Sequence, residues 1–249
     1  MTLALETQGL CLSFGALKVA VDINFKLEKG ARHALIGPNG AGKTTFVNLL
    51  TGRLKPSAGE VLLGGEVVTH FTQANRVIKG LGRTFQINTL FNKMSVLDNV
   101  ALGIAEREQI SQSFWRPANR NKSLIEESYS FLELLGIQAD ANQVVRDLPY
   151  GKQRLVEIAV ALGLKPKVLL LDEPAAGVPS METDKILKAL DSLPKDMAIM
   201  IIEHDMDLVF KFANQITVLV QGEILCQGTP SEVSSDKRVH QVYLGEPHV

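Results

Sequence analysis

GPNGAGKT, Gly37 to Thr44, satisfies the pattern G-x-x-x-x-G-K-[ST] without a mismatch. One chemistry needs all of these residue types at this spacing, the wrapping of a backbone around phosphate oxygens. Gly37, Gly40 and Gly42 let N–H groups of the loop turn inward, and a helix N-terminus behind them adds a favourable dipole. Pro38, Asn39 and Ala41 fill the turn. Lys43 can reach β- and γ-phosphates, and the Thr44 hydroxyl can offer an oxygen to Mg²⁺. The competing reading, a glycine-rich turn that binds nothing, sits poorly with an apolar run just before the loop and a helical run just after it.

VLLLDEP (168–174) supplies the second candidate cluster. Its apolar residues end in Asp172, which places a carboxylate at the C-terminal edge of a buried strand, where open α/β sheets bind ligands. Asp172 would hold magnesium through water. Glu173, one residue further out, could polarise the water that attacks a γ-phosphate. Alone, Asp-Glu-Pro is equally an ordinary strand-end turn; beside a phosphate loop the functional reading gains. A phosphate loop does not by itself choose between kinase, GTPase and motor. The lid and arginines of a kinase have no obvious place here, and a guanine-reading N-K-x-D is absent.

Both clusters need strand ends and helix starts to hold them. ARHALIG (31–37) is a short apolar run leading into the loop, and a helical run extends from Gly42 to Thr51. Strand-like LALETQGLCLSF and VAVDINFKL open the chain, and GEVLLGGEVV (59–68) reads as a hairpin about Gly64-Gly65. Residues from about 92 to 162 read mostly as helix, in VLDNVALGIAEREQ, SLIEESYSFLELLG and QRLVEIAVALG. Beta character returns in KVLLLDEP (167–174), MAIMIIEH (197–204) and QITVLVQGEILCQG (215–228), with SMETDKILKALDSL helical between them. The polar stretch 110–123 reads as a surface loop. Strands apolar on both faces, alternating with helices, predict an α/β fold with a parallel sheet covered on both sides.

Composition narrows the class. A 249-residue chain that is 45% hydrophobic can build one sizeable core or two small ones. Lys and Arg number 26 against 27 Asp and Glu, so no long-range field draws the chain to nucleic acid or anionic lipid. Cys11 and Cys226 lie in strand-like stretches and are expected to be buried, unpaired thiols. The opening MTLALETQGL shows no secretory leader pattern, and no window approaches the ~18 apolar residues of a membrane span. A soluble, cytoplasmic chain is expected, one that reaches any membrane through another subunit.

Five motifs in order resemble the ATP-binding subunit of an ABC transporter. GPNGAGKTT (37–45), which adds Thr45, is similar to that family's Walker A, and VLLLDEP to its Walker B. TFQ ends at Gln86, in the position of the Q-loop glutamine. LPYGKQR (148–154) falls where the family carries its LSGGQ signature. IIEH ends at His204, resembling the switch histidine, and Phe14 in LSFG matches the aromatic that stacks on adenine. In isolation Phe14 is as readily a core residue, Gln86 a loop amide and His204 a strand-end histidine.

The resemblance implies a P-loop NTPase (RecA-like) core with an N-terminal antiparallel β subdomain and an inserted α-helical signature subdomain. The expected division is a single ABC-type domain over 1–249, with 1–87 and 163–249 as nucleotide-binding core and 88–162 as the helical subdomain. It also implies ATP and Mg²⁺ as cofactors, with Thr44, Gln86 and Asp172 around the metal and Glu173, His204 and Gln86 in catalysis. The signature residues Leu148, Pro149, Tyr150, Gly151, Lys152 and Gln153 would face the ATP of a second subunit. GRTFQ (82–86), LFNKMSVLDNV (90–100), the Tyr of LPYG, DEPAAGVP (172–179), IEHDM (202–206), VYLGE (242–246) and the stretch around Phe114-Trp115-Arg116-Pro117 look like the branched-chain (hydrophobic) amino acid uptake branch. VYLGE is also similar to lipopolysaccharide-export ATPases.

Expected partners are a second ABC ATPase, two membrane-spanning permeases and, indirectly, a periplasmic binding protein, at the cytoplasmic face of the inner membrane. No nucleic acid is expected. A lipopolysaccharide-export-type ATPase, a soluble ABC ATPase in macromolecular assembly and an ATP-sensing regulator stay open as alternatives. The sequence departs from the family in two places. AAGVPS lacks the Asp of the commoner SALD, and LPYGK replaces Ser by Pro149, Gly by Tyr150 and Gln by Lys152. Pro149 brings neither a hydroxyl nor a backbone donor, so a phosphate contact is expected to be missing unless Lys152 supplies a compensating charge. Apolar members of the region from Gln86 to Val100 (Leu90, Phe91, Met94, Val96 and Leu97) are expected in the core, an exposed patch there favouring a docking groove.

Overall fold

A glycine pair at a tight turn closes one hairpin of the first of two sheets. The computed structural model describes residues 2–84, 90–109 and 122–244. Strands β1 (Leu3–Phe14) and β2 (Leu17–Glu28) pair antiparallel, followed by β3 (Arg32–Ile36), helix α1 (Lys43–Leu50), β4 (Ala58–Leu63) and β5 (Glu66–Val67). Gly64 and Gly65 take φ of 58° and 84°, the left-handed pair that closes a two-residue hairpin between β4 and β5. The antiparallel sheet runs β2-β1-β4-β5.

Helix α2 (Gln73–Ile78) and β6 (Leu81–Arg83) lead to a helical group, α3 (Val96–Arg107), α4 (Lys122–Leu134) and α5 (Tyr150–Gly163). Two single 3₁₀ turns, Gln138–Asp140 and Val145–Asp147, break the stretch between α4 and α5. The chain returns through β7 (Val168–Asp172), α6 (Ser180–Asp191), β8 (Ala198–Ile202), α7 (Met206–Phe212), β9 (Gln215–Val220), β10 (Glu223–Gly228), α8 (Pro230–Ser235) and α9 (Lys237–Leu244).

The second sheet runs β10-β9-β3-β8-β7-β6, parallel except for β10. Its strands sort their side chains by alternation, as a period of two requires. Leu169, Leu171, Ile199 and Ile201 join a core with α3, α5 and α6, whereas Val168, Leu170, Ala198, Met200 and Ile202 join a core with α1 and the antiparallel sheet. The expected two-faced burial of these strands is therefore present, with a separate core on each face.

The eight-residue α1 is short for an isolated helix. Fully buried Arg76 of α2 satisfies its end, donating to the carbonyls of Leu49 at 2.7 Å, Leu50 at 2.5 Å and Thr69 at 2.8 Å. A cation at a helix C-terminus is also favoured by the helix dipole, and burial brings its pKa down to about 10.

Several sequence expectations change in detail. The run 215–228 is two strands, split by a turn in which Gln221 and Gly222 take φ of 49° and 83°. The thiols of Cys11 and Cys226 are free but half-buried, not buried; Asp22 N–H donates to Cys11 Sγ, and Cys226 lies on the edge strand β10. Of the apolar residues in 90–100, Leu90 and Val96 are buried, Met94 and Leu97 half-buried, and Phe91 is 58% exposed, so this stretch divides between core and surface.

Candidate nucleotide site

Ile36, Asp172 and Ile202 end adjacent parallel strands at the same edge of the sheet, so the loops that follow β3, β7 and β8 converge there. The loop after β3 is shaped by contacts that exclude a side chain. A Cβ at Gly37 (φ 154°) would collide with the Leu219 carbonyl, and one at Gly42 (φ 101°) would crowd the Val19 carbonyl at 3.1 Å. Ala41 N–H donates to the Pro38 carbonyl, and Gly222 N–H to that of Ala41, which ties the loop to the β9–β10 turn. Asn39, Gly40 and Thr44 are exposed, and Thr45 is half-buried.

Lys43 begins α1 and folds back over its own loop, donating to the carbonyls of Gly37 at 2.6 Å and Pro38 at 3.0 Å. Burial pushes its ammonium below the usual lysine range, while Glu173 and Asp172 act against that shift. Lys43 is thus held where the loop's glycines and both acidic residues of β7's end can feel it.

Asp172 is 6% exposed, and its Oδ2 accepts from Arg83 Nη2 at 2.9 Å. Glu173 adopts φ 47°, a left-handed conformation that costs a non-glycine residue on the order of 1 kcal/mol. Its N–H donates to the Ile202 carbonyl, which turns the chain out of the sheet. Glu173 Oε1 then lies 3.6 Å from Nδ1 of the exposed His204. Behind them Glu203 is 2% exposed, accepting from the N–H groups of Ala175 and His204, each at 3.3 Å. Burial raises the Glu203 carboxyl above the usual range, and those two N–H groups pull it back. The arrangement gathers a phosphate loop, a lysine, a buried aspartate and a glutamate–histidine pair at one edge. Hydroxyl and carboxylate oxygens suit a hard divalent cation.

Two sequence-derived candidates stand apart. Phe14 ends β1 with its ring 54% exposed, available for stacking. Gln86 lies outside the described residues, as do Phe114 to Pro117 and the end of VYLGE.

The signature residues form a separate group around the start of α5. Leu148 is buried, Pro149 is exposed and precedes the helix without a side-chain cap, and Gln153 Nε2 donates to the Leu148 carbonyl. Tyr150 packs against Gly177, where a Cβ would meet the ring at 3.1 Å, and the Arg154 guanidinium lies over the ring, 5.1 Å from its centroid. A Cβ on Gly151 would strike the Glu182 carboxylate. Lys152 Nζ pairs with Asp140 at 2.7 Å, so its charge is committed within the chain; the compensation expected for Pro149 is not supported. Among the described residues no hydrogen bond or ion pair joins this group to the phosphate loop.

A family model described as "ABC transporter" matches residues 20–176, and one described as "Branched-chain amino acid ATP-binding cassette transporter" matches residues 223–249. The chain belongs to the ABC transporter ATP-binding family. Within that family it is 36% identical to the high-affinity branched-chain amino acid transport ATP-binding protein BraF of Pseudomonas aeruginosa, over 97% of this chain and 98% of the relative. LivG of Escherichia coli, which carries the same description, is 35% identical over the same shares. A nucleotide-free ATP-binding cassette of an ABC transporter superposes with TM-score 0.87 at 30% identity, covering 99% of this chain and 100% of that one. An ADP conformation of such a cassette gives the same values.

As an ABC transporter cassette the chain binds and hydrolyses ATP. Arg83 and Glu203 sat inside quoted motifs, GRTFQ and IIEH, yet sequence reasoning assigned them nothing. Their partners Asp172 and Ala175 are distant in the chain. A polar residue next to a motif residue on a strand end is the signal that could have found both.

Proposed function

We propose that this chain powers an importer for branched-chain or related amino acids or amides. The observation that carries the substrate class is near-full-length similarity to BraF and LivG, together with the match of its C-terminal 223–249. In this reading two ATPase subunits pair with two membrane-spanning permeases and serve a periplasmic binding protein at the cytoplasmic face of the inner membrane. No described helix is long and apolar enough to cross a membrane, so attachment would run through the permeases.

The site residues take roles their positions support. Loop residues 37–45 wrap the phosphates, Lys43 leaves its backbone carbonyls for β- and γ-oxygens, and Phe14 stacks on adenine. Thr44 and Asp172 would hold magnesium, Asp172 through water, with Gln86, outside the described residues, assigned beside them by the family resemblance alone; bound magnesium would offset phosphate charge. Glu173 accepts a proton from the attacking water, and His204, 3.6 Å from Glu173, contacts the γ-phosphate and that water. Leu148 to Gln153 face the ATP of the second subunit. Within the single ABC-type domain, 88–162 would serve as the helical signature subdomain and 1–87 with 163–249 as the nucleotide-binding core.

The test is reconstitution with two membrane-spanning permeases of the branched-chain amino acid type. ATP-driven uptake of leucine, isoleucine or valine into proteoliposomes is expected, abolished by Lys43→Ala. Co-purification with soluble scaffold proteins and no multispanning partner would sink the proposal.

A further inference from the structure

We infer that Arg83 is a positioning residue that sets the Asp172 carboxylate for magnesium and braces it against α1. The inference rests on the reading of Asp172 given above. Arg83 ends the edge strand β6, in register with Leu170 of β7. From there its guanidinium forks, Nη1 donating to Asn48 Oδ1 and Nη2 to Asp172 Oδ2, each at 2.9 Å. Both members of the ion pair are nearly enclosed, with side chains 9% and 8% exposed.

Asn48 lies four residues after Thr44 on α1, one turn along the same helix face. The fork therefore joins the helix that carries Thr44 to the strand that carries Asp172. A carboxylate buried this deeply needs a compensating charge, and Arg83 supplies it through one oxygen, Oδ2. Among the described residues Oδ1 takes no hydrogen bond from Arg83 and can accept from a water of the metal. Magnesium demands near-octahedral geometry and keeps several waters, so the carboxylate serves it only when its orientation is fixed. A lysine would keep the charge but not the planar fork that reaches Asn48 and Asp172 together.

The experiment titrates MgCl₂ against binding of a fluorescent ATP analogue to the full chain, with a parallel series in EDTA, for wild type, Arg83→Lys and Asp172→Asn. Loss of a group that orients a metal-site residue typically costs about 10–100-fold in metal affinity. Arg83→Lys is therefore expected to raise half-saturating magnesium about tenfold while binding in EDTA holds within roughly twofold. An unchanged magnesium midpoint overturns the inference. So does a lowered midpoint, which would make Arg83 a competitor of the metal, and so does an equal loss with and without magnesium, which marks a structural role only. If Asp172→Asn shifts the midpoint and Arg83→Lys does not, only the Arg83 inference fails. If Asp172→Asn shifts nothing, the metal role of Asp172 falls and takes this inference with it. Asn48→Ala keeps the ion pair and removes its brace. It serves where Arg83→Lys does not fold, a smaller rise being expected and no rise being contrary.

Discussion

The N-termini of α1 and α5 are both helix starts suited to an anion, yet the chain builds them by opposite means. Ahead of α1 the backbone is fixed by collisions that only glycine avoids, at Gly37 against Leu219 and at Gly42 against Val19. A lysine sits inside the resulting loop, bonded to its carbonyls. Ahead of α5 stands exposed Pro149, with no side-chain cap. The residues around it are anchored sideways, Tyr150 on Gly177 and Lys152 on Asp140. One terminus is completed by its own chain. The other is held in place laterally, its N-terminal end capped by no side chain.

The comparison breaks hardest at Glu173, whose carboxylate acts on Lys43 at the first terminus. Glu173→Gln keeps the side chain's size and tolerates the same left-handed backbone, but it cannot accept the proton of the attacking water. Steady-state ATP hydrolysis in the assembled transporter is expected to fall by about 10²–10⁴-fold, with nucleotide affinity retained. Near-normal turnover would remove Glu173 from the chemistry. Lys43→Ala comes next. It deletes charge-assisted bonds worth about 1.5–3 kcal/mol, so ATP affinity by equilibrium fluorescence should weaken roughly 10–100-fold. Unchanged affinity would mean that the loop's N–H groups alone hold the phosphates.

The same contrast explains what could be read from the sequence. Gly37 to Thr44 was legible because each glycine answers a local backbone demand that leaves a motif. The apolar run Val168–Leu171 was legible because both its faces are buried, and two-faced burial writes itself as uninterrupted hydrophobicity. Arg83 and Glu203 were not legible as parts of the site. Each acts through a partner brought near only by the fold, Arg83 on Asp172 and Glu203 on Ala175. No local periodicity encodes such pairs. Lys152 misled for the same reason, since Asp140 lies beyond an intervening 3₁₀ turn. The turn at Gln221-Gly222 divides a run whose beta character was legible but whose two strands were not told apart.

Pro149→Ser sharpens the second terminus. A serine cap on α5 would contribute about 1 kcal/mol of stability, while losing proline relaxes the unfolded chain by about 0.4–1 kcal/mol in the other direction. The two nearly cancel, so the thermal midpoint should hardly move. Hydrolysis in the assembled complex should nevertheless rise, by up to about tenfold, if the new hydroxyl gains a bond to charged phosphate at the lower end of its usual strength. An unchanged rate would show that the α5 N-terminus works without that contact.

Lys152→Ala carries the smallest expected effect on hydrolysis, and its smallness is the point. The Lys152 side chain is 44% exposed, so solvent screens its charge, while Asp140, only 8% exposed, keeps a bond from Gln143 Nε2 at 2.9 Å; losing the lysine should cost about 1–3 kcal/mol of stability. Because the ammonium is already spent on Asp140, hydrolysis should stay within roughly twofold of wild type; a charge reaching the partner's phosphate would cost about 1.5–3 kcal/mol and show as at least a tenfold loss. Salt separates the two cases further. A phosphate contact would make the wild-type rate fall as ionic strength rises, and the variant would lack that dependence. Equal salt profiles for the two proteins would leave Lys152 as a lateral anchor of α5, as its pairing with Asp140 indicates.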